Sequence, residues 1–366
     1  MPEGWTRRAA LTPADGASEE LWELWEDERV VAAAPVRARY GKPLDVMAFR
    51  GIDAAAHRRA ALDLCRAAAA LHDGEADAGP CPCCEGAGDV ERLASVAGVD
   101  YVRCRRCGHG YVPRPPIEAL ARRFAASEEI AAVYTDPDTA AVRMEQVVAP
   151  KLAWALEAAE RSLGRPPASL LDIGAGAGHM VAGARRRGLR AEGYELNRHC
   201  CSFARERLGV ELRHGDVLEA RSGGERFDLV TLWGVLEYVP DPTRLVARAR
   251  EFLAPGGTMV VEVPRVDSIS TAVQRELPQF VARHLDPASH LNAFSDASIA
   301  TVLWRSGLVP SEAWYFGMDA FELASQLALH GELSEELCRA TLGLQPDLDR
   351  ARLADDLVIA ATGAAA

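Results

Sequence analysis

From residue 168 onward the chain alternates between two textures. Short, continuous apolar runs at Ser169–Ile173, Ala191–Leu196, Phe227–Leu232 and Thr258–Val263 read as buried strands. Between them, Met180–Arg187, His199–Leu208 and Pro242–Leu253 space their apolar residues three and four apart, which reads as helix. Strands separated by helices of this length predict right-handed βαβ crossovers and a parallel, doubly wound α/β sheet. Leu308–Phe316 and Asp356–Ala361 predict two late strands, with a helical insertion at about 318–352 between them.

Upstream the texture is different. Leu21, Trp22, Leu24 and Trp25 stand at helical spacing, and the alanine-rich run Asp53–His72 carries Leu62, Leu64 and Leu71, so residues 1–78 read as a helical N-terminal segment. Trp22 and Trp25 read as a core stripe. At Asp77-Ala78-Gly79-Pro80 the chain turns Cys- and Gly-rich, and it stays so to the proline cluster ending at Pro116. A helical connector over 117–167 leads into the alternating region at 168–363.

Composition narrows the class. With 366 residues, 49% hydrophobic and 26% charged, the chain is expected to fold as about two globular domains with small appendages. No run approaches the ~18 apolar residues of a membrane span, and Met1–Arg8 lacks the apolar core of a secretory signal. A soluble cytoplasmic protein is the expectation. Acids outnumber bases 53 to 41, a net charge of -12, which argues against nucleic acid as partner. Lys42 and Lys151 are the only lysines, a bias that reads as genome composition.

Five of the nine cysteines fall between positions 81 and 107. Cys81-Pro82-Cys83-Cys84 and Cys104-Arg105-Arg106-Cys107 are two Cys-x2-Cys knuckles separated by 19 residues. Four thiolates at that spacing can close a tetrahedron around Zn²⁺, so residues 79–116 read as a zinc ribbon. Such a site has no open coordination position and would be structural. Cys83 could replace Cys84 by slippage, and His109 reads as a loop residue.

The chemical centre is Leu170-Leu171-Asp172-Ile173-Gly174-Ala175-Gly176-Ala177-Gly178-His179. An apolar strand ends in an acid, and the glycines let the backbone approach a ligand before the helix begins. The third glycine comes too early for a dinucleotide fingerprint, and an acid before the loop suits a zwitterionic or cationic ligand better than a diphosphate. Glu195 stands 23 residues after Asp172, in position to accept from two ribose hydroxyls. Gly215-Asp216-Val217 follows the third strand, and Trp233-Gly234 the fourth.

These motifs, in this order, resemble the class I S-adenosylmethionine-dependent methyltransferases over about 168–363. The Cys104–Pro115 stretch resembles the zinc-binding leader of bacterial methyltransferases from sugar and natural-product pathways. The resemblance implies a seven-stranded Rossmann-like sheet whose last strand is antiparallel. It also implies that Asp172, Gly174, Ala175, Gly176 and Gly178 hold the amino-acid end of S-adenosylmethionine and Glu195 and Leu196 its ribose side. Asp216 and Val217 would flank the adenine, while Trp233 and Gly234 would close over the methionine portion.

The acceptor side is less patterned. Related sugar enzymes carry Glu-His after strand four, where this chain has Glu237-Tyr238. His290 is the first candidate for a base, His284 the second, and Tyr238 another if its pKa were lowered; His179 is weaker. The expected reaction is methyl transfer to oxygen or carbon of a small molecule, a sugar or secondary-metabolite intermediate. An RNA methyltransferase with a zinc recognition module, or a catalytically silent donor-binding module, remain the alternatives.

Overall fold

The computed structural model describes residues 4–11, 18–42 (except 27), 63, 65, 66, 69, 79–277 (except 87, 221 and 222), 283–330 (except 288) and 334–363. Its centre is a parallel sheet made of β7 (Ser169–Ile173), β8 (Arg190–Glu195), β9 (Arg213–His214), β10 (Phe227–Trp233) and β11 (Leu253–Pro264). β13 (Leu308–Phe316) and β14 (Asp356–Gly363) complete it in the order β13-β14-β11-β10-β7-β8-β9, with β14 antiparallel to both neighbours. This is a mixed α/β, Rossmann-like sheet. The helices packed on the sheet include α4 (Ala149–Leu163), which leads into β7 and seats Leu152, Trp154, Ala155 and Ala159 on one face, alongside Trp314 and Val358.

The N-terminal segment corrects the helical expectation. The described residues up to 40 form three antiparallel-paired strands, β1 (Gly4–Leu11), β2 (Ser18–Glu26) and β3 (Arg29–Tyr40), and the sheet reaches ten strands because β3 pairs in parallel with β13. The reason lies in the period. Glu20, Trp22 and Leu24 turn inward while Leu21 stays 37% exposed, and Ala34, Val36 and Ala38 repeat the pattern on β3. Trp22 and Trp25, three residues apart, share a face only in a helix; in the strand they fall on opposite faces, and the open edge of β13 favours the strand, overriding alanine's helix propensity. The alanine-rich run Asp53–His72 lies almost wholly outside the described residues.

The Cys-rich segment folds as β4 (Val90–Val96), β5 (Val99–Cys104) and β6 (Gly110–Tyr111), joined by β12 (Asn292–Ala293) from the main domain in a second sheet, β12-β6-β5-β4. Along the chain, α1 (Ile117–Ala126), α2 (Glu128–Thr135) and α3 (Pro137–Arg143) follow β6 and precede α4. Three helices, at Asp319–His330, Glu335–Leu342 and Gln345–Arg350, fill the 318–352 insertion. Among the described residues no helix is long and apolar enough to cross a membrane.

Candidate active site

The carboxyl ends of the parallel strands bring the expected donor residues together, as open α/β sheets generally do for their ligands. Gly174, Gly176 and Gly178 all take positive φ (71°, 53° and 79°). A Cβ on Gly174 would lie 2.6 Å from Val235 Cγ2, so a side chain there would force the loop outward. Glu195, at the end of β8, accepts hydrogen bonds from Gly176 N and Asn197 N, both at 2.7 Å. Burial raises its pKa, and those two backbone N–H groups pull it back.

Asp172 lies beneath the loop, 2% exposed, and accepts from Thr231 Oγ1 at 2.7 Å. Burial pushes its carboxyl up to about 7, against the Thr231 hydrogen bond. Such an acid sheds its proton when a cation arrives, which suits the ammonium end of an amino-acid ligand. Leu196 is 44% exposed, and Asp216 accepts from Leu218 N at 2.8 Å above buried Val217. Gly234 has φ 63°, and Glu237 Oε1 stands 3.0 Å from where its Cβ would be. Trp233 ends β10 with Lys151 Nζ 5.3 Å from its ring centre. His179 is set apart, packed on Phe203 with burial lowering its pKa to about 4.

On the acceptor side a polar row runs away from the glycine loop. It starts with Tyr134 of α2, whose ring is 4.0 Å from a Cβ built on Gly176. Tyr134 shares a hydrogen bond with Tyr238, and the Tyr238 hydroxyl lies 3.4 Å from His290 Nε2. The His290 ring is 5.5 Å from that of His284, whose Nε2 is 3.2 Å from Asp356 Oδ1. Burial raises the Tyr238 pKa well above its ordinary value, contrary to the lowering that a tyrosine base needs. Burial, then His284, lowers His290 to about 4, so its ring is neutral at pH 7. Tyr134 went unnoticed in the sequence because nothing in the connector's spacing marks it.

In the ribbon, Cys81, Cys84, Cys104 and Cys107 bring their sulfurs within 4.8 Å of one another, with Cys81–Cys107 at 3.6 Å and Cys84–Cys104 at 3.7 Å. Zn–S bonds of about 2.3 Å in a tetrahedron require S–S edges of about 3.8 Å, so the donor set fits that ion. Cys83 is buried outside the four, and His109 is fully buried, 3.0 Å from Asn292 Oδ1.

Comparison with known proteins fits this geometry. Residues 143–312 match the family model described as a methyltransferase domain. Over 130 residues the chain is 32% identical to the ubiquinone biosynthesis O-methyltransferase of Psychrobacter cryohalolentis, covering 33% of this chain and 50% of that protein. It is 34% identical over 104 residues to the trans-aconitate 2-methyltransferase of Deinococcus radiodurans, covering 27% and 39%. The chain thus spans about half the length, or less, of these curated relatives. The 1,6-didemethyltoxoflavin-N1-methyltransferase of Burkholderia thailandensis, solved with S-adenosylhomocysteine, superposes with a TM-score of 0.42 at 18% identity, covering 70% of this chain and 96% of that one.

Proposed function

We propose that this protein is an S-adenosylmethionine-dependent methyltransferase acting on oxygen or carbon of a small molecule, with a structural zinc in its ribbon. The observation that carries the reading is the Gly176 N–H donating to Glu195 across the glycine loop, with Asp172 buried at the end of the preceding strand. Asp172 and the loop N–H groups would hold the amino-acid end of the donor, and Glu195 its ribose. The donor supplies an activated methyl group, so the chain's task is to align the acceptor and take its proton. Zinc would be held by Cys81, Cys84, Cys104 and Cys107 and would fix the ribbon without touching the reaction.

Calorimetry with S-adenosylmethionine and S-adenosylhomocysteine tests the donor. Dissociation constants in the micromolar range typical of small substrates are expected. Free Asp172 is protonated below about 7 and ionised beside an ammonium, so binding at pH 6 should release close to one proton, read from buffers of different ionisation enthalpy. Affinity should therefore weaken as pH falls below 7. An absence of binding would overturn the reading, and binding without proton release would take Asp172 out of the donor site.

We place the proton-accepting role on His290, reached through the Tyr238 hydroxyl. Its lone pair is free at pH 7, and the acid limb of the kcat profile should lie below the ordinary histidine value of about 6.5. His290→Ala should lower kcat by about 10²–10⁴-fold with donor affinity nearly intact. Full kcat in that variant would leave positioning as the explanation, and lost donor binding would make His290 a scaffold residue.

A further inference from the structure

The protein's two lysines, 109 positions apart in sequence, meet at the ligand edge of the sheet. Lys151 enters from the first turn of α4 and forms an ion pair with Glu262 near the end of β11. Lys42 arrives two residues beyond β3. Because β3 runs parallel to β13, and β13 lies two antiparallel steps from β11, the end of β3 falls on the same edge as the ends of β7, β10 and β11. The approach is pinned by Gly41, whose N–H donates to Tyr315 O at 2.9 Å and whose carbonyl accepts from Trp314 Nε1 at 2.7 Å.

The two ammonium groups have different company. Among the described residues, Lys42 Nζ has no hydrogen-bond acceptor and no ion-pair partner; its contact is the Phe316 ring, 4.8 Å to the centroid. The acids that act on it are already engaged. Glu262 holds Lys151, and Asp356 holds Arg283, which also binds Asp355 at 2.7 Å. An ammonium carries three N–H donors and no acceptor, so a half-buried one without oxygen partners is incomplete. Burial, then Lys151, lowers Lys42 to about 7, the response of a cation short of counter-charge.

We propose that Lys42 receives an anionic group of the methyl acceptor, a carboxylate or a phosphate, and that the N-terminal meander therefore completes the acceptor site. The inference rests on the methyltransferase reading above and narrows its acceptor to an acid, setting aside neutral sugar alcohols. It also gives the three-stranded extension a role in substrate recognition.

Full-length protein grown with ¹⁵N-lysine should show two side-chain ammonium signals, the Lys42 signal being the one lost in Lys42→Arg. Acetate and inorganic phosphate are titrated separately, with and without S-adenosylhomocysteine. One of the two anions should shift the Lys42 signal saturably and raise its pKa, leaving Lys151 nearly still; the anion that does so names the group. In transfer assays on carboxylate- and phosphate-bearing acceptors, Lys42→Met should raise KM about 10- to 100-fold with kcat little changed, and Lys42→Arg should restore much of the loss. Indifference of Lys42 to both anions in protein that binds S-adenosylhomocysteine overturns the inference alone. A kcat loss in both variants at unchanged KM overturns it in favour of a lysine base. Failure to bind S-adenosylhomocysteine defeats the methyltransferase reading instead, and the ligand-free titration still judges Lys42.

Discussion

Cys107→Ser should leave the protein without zinc and unfold residues 79–116, the largest effect expected of any single substitution here. The ribbon's own core is small, built around Tyr101, Leu93, Val96 and Val99. A patch of that size does not offset the chain entropy of ordering some 35 residues. Structural zinc contributes roughly 10–16 kcal/mol of apparent binding free energy at pH 7, most of which is folding free energy. Removing one thiolate forfeits a large part of it. The damage should also spread to the candidate active site. Tyr101 donates to the His290 carbonyl at 2.8 Å, Ser295, the N-cap of the helix Asp296–Arg305, donates to Cys107 O at 2.5 Å, and β6 pairs with β12. Elemental analysis should read one zinc per wild-type chain and none in the variant. Amide exchange should quicken over 90–111 and then over 290–295, and kcat should fall with it. Native protein free of metal, with four freely titrating thiols and unchanged exchange, would refute the ribbon assignment.

The α/β half was legible because its strands are buried on both faces and read as continuous apolar runs, each followed by a helix with one apolar stripe. The glycine loop, as a backbone feature, was legible for a related reason. Positive φ at Gly174, Gly176 and Gly178 leaves a mark in composition, and the acids at strand ends stand at countable offsets from it. The N-terminal meander was not legible. Its tryptophans stand at helical spacing and its alanines favour helix, while the deciding partner, the edge of β13, lies about 275 residues away in sequence. The polar row through Tyr134, Tyr238, His290 and His284 has no spacing to read, since its members come from three separate segments that only packing brings into line. Lys42 shows the same limit from the other side: composition marks it as no more than one of two lysines, and only β3 brings it to the carboxyl edge of the parallel strands.

Glu195→Ala should weaken binding of S-adenosylmethionine and S-adenosylhomocysteine by about 10²–10⁴-fold, since two hydrogen bonds to a charged acceptor are lost at roughly 1.5–3 kcal/mol each. A carboxylate offers about four lone-pair sites. Gly176 N and Asn197 N fill two at 2.7 Å and the Leu196 N–H also donates to the carboxylate, so the remaining capacity is for one or two ribose hydroxyls. The same two bonds tie the glycine loop to the end of β8, so alanine would also leave Gly176 N without its acceptor and loosen the cradle. Glu195→Gln separates the two contributions. Its amide oxygen can keep one backbone N–H and one hydroxyl, so it should recover part of the affinity, whereas a purely electrostatic role would make glutamine as poor as alanine. Calorimetry on both variants, with amide exchange at Gly176, reads ligand contact and loop order independently. Unchanged affinity in the alanine variant would remove Glu195 from the ribose site. A faster-exchanging Gly176 with intact affinity would make it a strut of the loop that never meets the ligand.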